Sequence, residues 1–285
     1  MRNNTFYGIV IGLTAIFVAF ILEGGDVKSL FLISPLLIVI VGTLAAGFAG
    51  VTWKIFSRFF KLISIAMNPT KYDKKNIALE MVQVATVVRR LGLLSIEDNM
   101  EKYNAVHPYM KKLFQVCIDG IKEEELIELY ELEISQMTER HTENINMFNK
   151  FAGFSPTMGI IGTVMGLIST MAAAGSDPNE LIHHIGVAFL ATLWGIVMAN
   201  LVWLPIADKL QVVHNDEVTT LNLIYEGVKS IVAGENPTTV YMKLSCVFPM
   251  SEQEEFQNEA QKVVARSRQM ITDIEQQQQQ QFNMN

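Results

Sequence analysis

Two stretches decide the fold: FAGFSPTMGIIGTVMGLISTMAAA at Phe151–Ala174 and LIHHIGVAFLATLWGIVMANLVWLPIA at Leu181–Ala207. The first contains no acidic or basic side chain, and the second contains none from Ile185 to Ala207. A hydrocarbon core about 30 Å thick takes roughly 20 apolar residues as a helix, so each stretch is long enough to cross a bilayer. Neither is uniformly apolar, because Pro156, Thr163, Thr192 and Pro205 place hydroxyls and helix-bending residues at membrane depth. Hydroxyls without a carboxylate give the composition of half an ion pathway.

Working outward, Phe6–Leu22 and Leu30–Val51 are two further spans of sufficient length. Phe6–Leu22 is short enough to resemble a signal peptide, but only Arg2 precedes it and Glu23-Gly24-Gly25 offers no small-x-small cleavage site, so it is read as a retained span. The short connections Glu23–Ser29 and Gly175–Glu180 carry four acids against a lone Lys28. Lys54, Arg58 and Lys61 directly follow the second span and Lys209 follows the fourth. Positive charge marks the cytoplasmic side, which puts both termini and the middle region there. Trp53 and Trp203 fall at the inner ends of spans two and four, where amphipathic rings favour the headgroup level, and mid-span Trp194 is read as packing.

Half the residues are hydrophobic and only 18% are charged, the balance of a membrane protein with a water-exposed part. The net charge of −7 comes largely from the middle region and the tail, with no dense basic face, so nucleic acid is excluded as a partner. Cys117 and Cys246 lie in segments assigned to the cytoplasm and point to neither a disulfide nor a metal framework. No cofactor is expected. Gly159-Ile-Ile-Gly162 falls within a span with no Gly-Lys-Ser/Thr after it, and no nucleophile, base and orienting group can be grouped, so no enzymatic role is expected.

The expected fold is all-α: four transmembrane helices, a helical cytoplasmic domain between spans two and three, and helices three and four extended into the cytoplasm. The segments are 1–51 (spans one and two), 52–150 (cytoplasmic helices), 151–207 (spans three and four), 208–250 (further cytoplasmic helices) and 251–285, a charged, glutamine-rich tail ending in Gln276–Gln281 and read as disordered or only transiently helical. Within the middle region Ile77, Met81, Val84, Val88 and Leu91 form the stripe of an amphipathic helix over Asn76–Arg90. Gly92 supplies its stop, and Ser95 with Asp98 fits the capping pattern of a following helix. Arg89 and Arg90 then close one helix while Glu97 opens another, an arrangement that suits helix dipoles and equally suits docking of a charged partner. Pro108 starts a helix that ends near Gly120. No breaker separates the acidic run at Glu123 from Phe151, so one helix is expected to continue into the third span.

In the third span Pro156, Thr163 and Thr170 recur every seven residues, about 20° from alignment, and share a face. Gly159, Gly162 and Gly166 permit close approach of another helix. Thr163 and Thr192 are candidates to line a hydrated path, with back-bonding to a carbonyl as the plainer reading. Pro156 and Pro205 each remove an amide donor and bend the helix. Asn200 is expected to bond between helices.

These elements together resemble the A subunit of bacterial flagellar motor stators, the MotA/PomA type within the MotA/TolQ/ExbB superfamily. The resemblance is carried by Arg89-Arg90-Leu-Gly-Leu-Leu-Ser-Ile-Glu97-Asp98, by Phe154-Ser-Pro156-Thr-Met-Gly-Ile-Ile-Gly-Thr163-Val-Met-Gly166, and by Ala191-Thr192-Leu-Trp-Gly195 with Leu204-Pro205. It implies a homopentamer in the inner membrane, in contact with lipid, around a MotB/PomB-type B subunit whose single span brings the ion-binding aspartate. Cation flow, of sodium or protons, would then drive rotation against the rotor C-ring protein FliG. It further implies rotor contact at Arg89, Arg90 and Glu97, torque coupling at Pro156 and Pro205, and an ion path past Thr163 and Thr192. A threonine at 163 leans toward sodium. The alternatives are an ExbB/TolQ-type energiser, whose members usually have three spans, and a passive membrane scaffold.

Overall fold

A computed structural model describes residues 4–172 and 178–284; the side chains of 99, 104, 178, 179 and 273–284 are not described. Arg2, Asp177 and the side chains of Gln276–Gln281 lie outside the described residues. The described residues are almost wholly helical, with no strand among them: α1 (Asn4–Leu22), α2 (Ile33–Ala49), α3 (Trp53–Phe56), α4 (Phe59–Met67), α5 (Lys74–Leu91), α6 (Met100–Val106), α7 (Pro108–Ile118), α8 (Glu123–Ala172), α9 (Pro178–Val197), α10 (Leu204–Val232), α11 (Pro237–Ser245) and α12 (Met250–Met284). Among the described residues four helical stretches are long and apolar enough to cross a membrane; they contain the first and fourth expected spans, hold the second as far as Ala49 and the third as far as Ala172, and Ala173 and Ala174 lie outside the described residues. The chain forms two compact units, Met1–Thr70 with Met137–His214 and Lys71–Gln136 with Asn215–Asn285. The uninterrupted run through Glu123 is observed as the 50-residue α8.

In the first unit, apolar side chains of the spans stay exposed, among them Ile33 and Ile168, while small and hydroxyl residues turn inward. Such an inside-out distribution belongs to helices surrounded by lipid, where packing rather than water exclusion drives association. Asp26 caps a short 3-10 turn at Val27–Leu30 by accepting from the Lys28 amide, and the Trp194 indole donates to the Leu30 carbonyl at 2.7 Å. Trp194 is thus a packing residue that ties α9 to the start of α2.

Trp203, at the inner end of the fourth span, is enclosed by protein instead of facing lipid. It is buried, 5.4 Å ring to ring from Phe151 and 6.1 Å from Phe59, in an aromatic core with Phe148. Gly47 makes that core possible, because a Cβ there would lie 2.1 Å from the Phe151 ring. Trp53, 70% exposed, does keep the solvent- or lipid-facing position its sequence context implies. Asn200 is also corrected: its amide donates to the Ile196 carbonyl one turn earlier in its own helical run, not to another helix.

In the second unit α5 buries Ile77, Ala78, Met81, Val82, Val84 and Ala85. Asp73 caps its start by accepting from the Asn76 amide, and Gly92 ends it at φ +85°, a left-handed conformation that strains any side-chain-bearing residue. Ser95 does not cap a following α-helix. It sits in a 3-10 segment, Leu93–Asn99, and its hydroxyl donates back to the Gly92 carbonyl at 2.6 Å. Pro108 does open α7, with His107 as its cap.

The tail differs most from expectation. Met250–Met284 is helical, and it packs along α5 through Phe256, Ala260, Val264 and Ile271, all buried. Spacings of four, four and seven residues put these on one stripe, which the glutamine-rich composition around them obscures. Lys75 anchors the same contact, 2.9 Å from Glu255 and 2.8 Å from Glu259. Those carboxylates push the Lys75 ammonium upward and hold Glu255 below the usual carboxylate range.

Candidate functional site

The α8–α9 contact is built from residues without side-chain bulk. A Cβ on Gly159 would lie 2.8 Å from the Ala191 carbonyl oxygen, one on Gly162 2.5 Å from the Ala191 methyl, and one on Gly166 2.6 Å from the Ala188 methyl. Across the same contact, a Cβ on Gly195 would meet the Ser155 carbonyl oxygen at 2.7 Å and the Pro156 Cα at 3.3 Å. The glycine spacing in the sequence therefore produces backbone-to-backbone approach of the two helices.

That approach brings Thr163 and Thr192 together. The Thr163 hydroxyl oxygen lies 3.0 Å from the Gly159 carbonyl, 3.0 Å from the Ala188 carbonyl, and in direct contact with the Thr192 hydroxyl. Four oxygens thus converge with only two hydroxyl protons between them, because each threonine carries one donor. Oxygen lone pairs remain in excess at a half-buried point deep within two apolar helices. Hard monovalent cations are held by neutral oxygens of this kind, and no carboxylate occurs on the membrane stretch of either helix. Among the described residues no group of three or more His, Cys, Asp or Glu is placed to hold a metal ion.

Pro156 lies one turn before Gly159, where it removes the donor that would satisfy the Ala152 carbonyl. Beside it, Ser155 is fully buried and its hydroxyl accepts from Thr43 of α2 at 3.4 Å. Sequence reasoning passed over this pair, because each is one of several hydroxyls in its apolar run and nothing local singles it out. Pro205 sits in the first turn of α10, directly after Met198–Trp203, which winds as a π-helix. Wider π turns accommodate a proline that lacks a donor and collides with the preceding turn.

In the second unit Arg89 and Arg90 occupy the last turn of α5, and Glu97 and Asp98 the 3-10 segment beyond Gly92. All four are exposed, and the structure places Arg89 and Arg90 at one cleft. It adds Arg268, which lines a cleft of about 260 Å³ with Thr86, Arg89, Arg90, Pro237 and Ile271. Arg268 was missed because its helix was read as disordered.

A pair of membrane-length helices joined through glycine, with hydroxyls meeting at their contact, defines a subunit of a multi-pass membrane protein. In agreement, residues 101–222 match the model of the MotA/TolQ/ExbB proton channel family. Motility protein A of Treponema phagedenis is 31% identical over 78% of this chain and 84% of that protein, and chemotaxis protein PomA of Vibrio alginolyticus is 30% identical over 85% and 94%. The solved flagellar MotAB stator complex of Bacillus subtilis is similar at a TM-score of 0.82, with 28% identity over 89% of this chain and 99% of that one. The chain belongs to the motility protein A family of flagellar stator subunits.

Proposed function

We propose that this stator subunit forms, with a B subunit, a cation channel whose ion flow turns the assembly and exerts torque on the rotor. The observation that carries the reading is the oxygen cluster of Thr163 and Thr192, set at a close helix contact with no acid of its own. A B subunit's membrane helix supplies the missing carboxylate, and the solved relative of similar fold is itself a complex of A and B subunits. Several copies of this chain, five on the family pattern, surround the B subunit in the inner membrane, with both termini in the cytoplasm. The role is mechanical and not enzymatic. The threonine at 163 favours sodium over protons as the coupling ion.

Arg89, Arg90 and Glu97 contact the rotor protein FliG through charge, and Pro156 and Pro205 bend the ion-facing helices as the carboxylate loads and unloads. Likeness to motility proteins favours this reading over an outer-membrane energiser.

The test is complementation of a stator-deleted strain with this chain and its B subunit. Rotation that follows the sodium or proton gradient is expected, and Arg89→Glu and Glu97→Lys, made separately, should lower torque with membrane insertion unchanged. Stable insertion of the pair without any rotation would refute the proposal.

A further inference from the structure

The segment after α2 has a composition that ion conduction and rotor contact do not use. From Val27 to Tyr72 the chain contains no Asp or Glu, yet Lys54, Arg58, Lys61 and Lys71 all fall after Val51. Trp53 is 70% exposed and Phe60 81% exposed, on two short helices that directly follow a membrane span. α4 buries Leu62 and Ala66 and turns Phe60, Lys61 and Ser64 outward. Aromatic rings beside lysines, with no acid among them, match the boundary between acyl chains and anionic headgroups.

An open crevice of about 570 Å³ adjoins this collar, lined by Thr52, Ile55, Glu143, Asn146, Asn149 and Lys150 among others. Lys150 donates to the Gly50 carbonyl at 2.6 Å, which fixes its ammonium at the end of α2. An ammonium carries three donors, so two remain for a ligand. Thr52 starts α3 without using its side chain as a cap, and its hydroxyl is therefore available too. Glu143 stands two helical turns from Lys150, about 10 Å along the axis, and so leaves the Lys150 end electropositive.

We infer that this crevice is a binding site for the phosphate of an anionic phospholipid of the inner leaflet, held by Lys150 and Thr52, with Lys54, Arg58 and Lys61 drawing in the lipid and Trp53 and Phe60 seated among its chains. The inference rests on the proposed topology and is independent of the coupling ion and of rotor contact.

The experiment uses the full chain purified with its B subunit in neutral detergent, with phosphatidylglycerol or phosphatidylcholine added. Native mass spectrometry counts retained lipid and thermal unfolding reads the midpoint. Saturable retention of phosphatidylglycerol with a raised midpoint is expected, and little of either with phosphatidylcholine. Each charge removed from Lys54, Arg58 and Lys61 should weaken retention about fivefold at low ionic strength, Lys150→Gln should abolish the saturable fraction, and Lys262→Gln on α12 should change nothing. Should the triple variant fail to accumulate, Lys61→Gln alone carries the same fivefold test. Equal retention of the two lipids by the unsubstituted complex would overturn the inference, as would unchanged retention in the Lys150→Gln or Lys61→Gln variant. A midpoint shift with inorganic phosphate alone would refute the assignment to lipid.

Discussion

Adding one methyl group at Gly159 tests whether the proposed ion-pathway wall depends on backbone contact. The new Cβ would lie 2.8 Å from the Ala191 carbonyl oxygen and 3.1 Å from the Thr192 Cα, both backbone atoms of α9. No side chain can rotate to relieve that contact, so α8 and α9 must separate by several tenths of an ångström. Overpacking of this kind costs about 1–3 kcal/mol, offset in part by the ~1 kcal/mol that alanine gains over glycine inside a helix. Gly153 provides the internal reference: it lies on the same helix, nothing stands within 4 Å of its Cβ position, and Gly153→Ala has only the propensity gain. The difference between the two variants is therefore the overpacking itself, about 1–3 kcal/mol, measurable by denaturant-driven unfolding in mixed micelles. Separation also stretches the 3.0 Å contact from the Thr163 hydroxyl to the Ala188 carbonyl, so Gly159→Ala should slow rotation and Gly153→Ala should not. Equal unfolding and equal rotation in the two variants would refute the reasoning.

Three further outcomes follow from other parts of the molecule. Thr163→Ala removes a hydroxyl that three oxygens surround and should impair sodium-driven swimming; unchanged speed and ion dependence in the variant would remove the argument. The His107 imidazole caps α7 by accepting from the Tyr109 amide at 3.1 Å, and burial lowers its pKa from 6.5. On acidification the unfolded chain takes up that proton first, so the second unit should lose stability as pH falls through about 6.5 and on toward the lower folded value. His107→Asn, which keeps a capping oxygen, should flatten that slope in pH-dependent melting. Finally, Phe256→Ala empties a fully buried site 4.8 Å ring to ring from Phe248 and should destabilise the second unit by about 3–5 kcal/mol, observable as early loss of α12 in hydrogen exchange.

The spans, the long α8 and the helix stop at Gly92 were legible because each rests on local chemistry: apolar length, the absence of a breaker, or freedom at positive φ. Thr163 and Thr192 could be named in the same way, as hydroxyls at membrane depth. Their meeting could not, since it depends on Gly159, Gly162 and Gly166 facing Ala188 and Ala191 across an interface with no sequence proximity. The tail was misread because composition was weighed above period: Phe256, Ala260, Val264 and Ile271 hold a helical stripe through a polar run. That misreading also hid Arg268, whose place beside Arg89 and Arg90 exists only once α12 docks on α5. Trp203 failed for a related reason, because a position near a span's end does not reveal that Gly47 has left room for Phe151 and its aromatic neighbours.

The two prolines acquire a physical role once their surroundings are known. A regular helix resists bending because changing its axis strains hydrogen bonds that are already made. At Pro205 one such bond is missing by chemistry, and the preceding Met198–Trp203 turn is already wound as π, so a change in bend there breaks little that is intact. At Pro156 the missing donor lies beside Gly195, whose lack of a side chain lets α9 approach the α8 backbone to contact distance. Each of the two helical runs thus has one point where a backbone bond is missing, one turn from Gly159 in the first and directly after the π turn in the second. Between Pro156 and Thr163 the contact is glycine on backbone at Gly159 and glycine on the Ala191 methyl at Gly162, so no long, compliant side chain lies there to absorb displacement. This arrangement supports the proposed coupling: charging a carboxylate next to the threonines would shift α8 and α9 together, and the two bends would take up the motion.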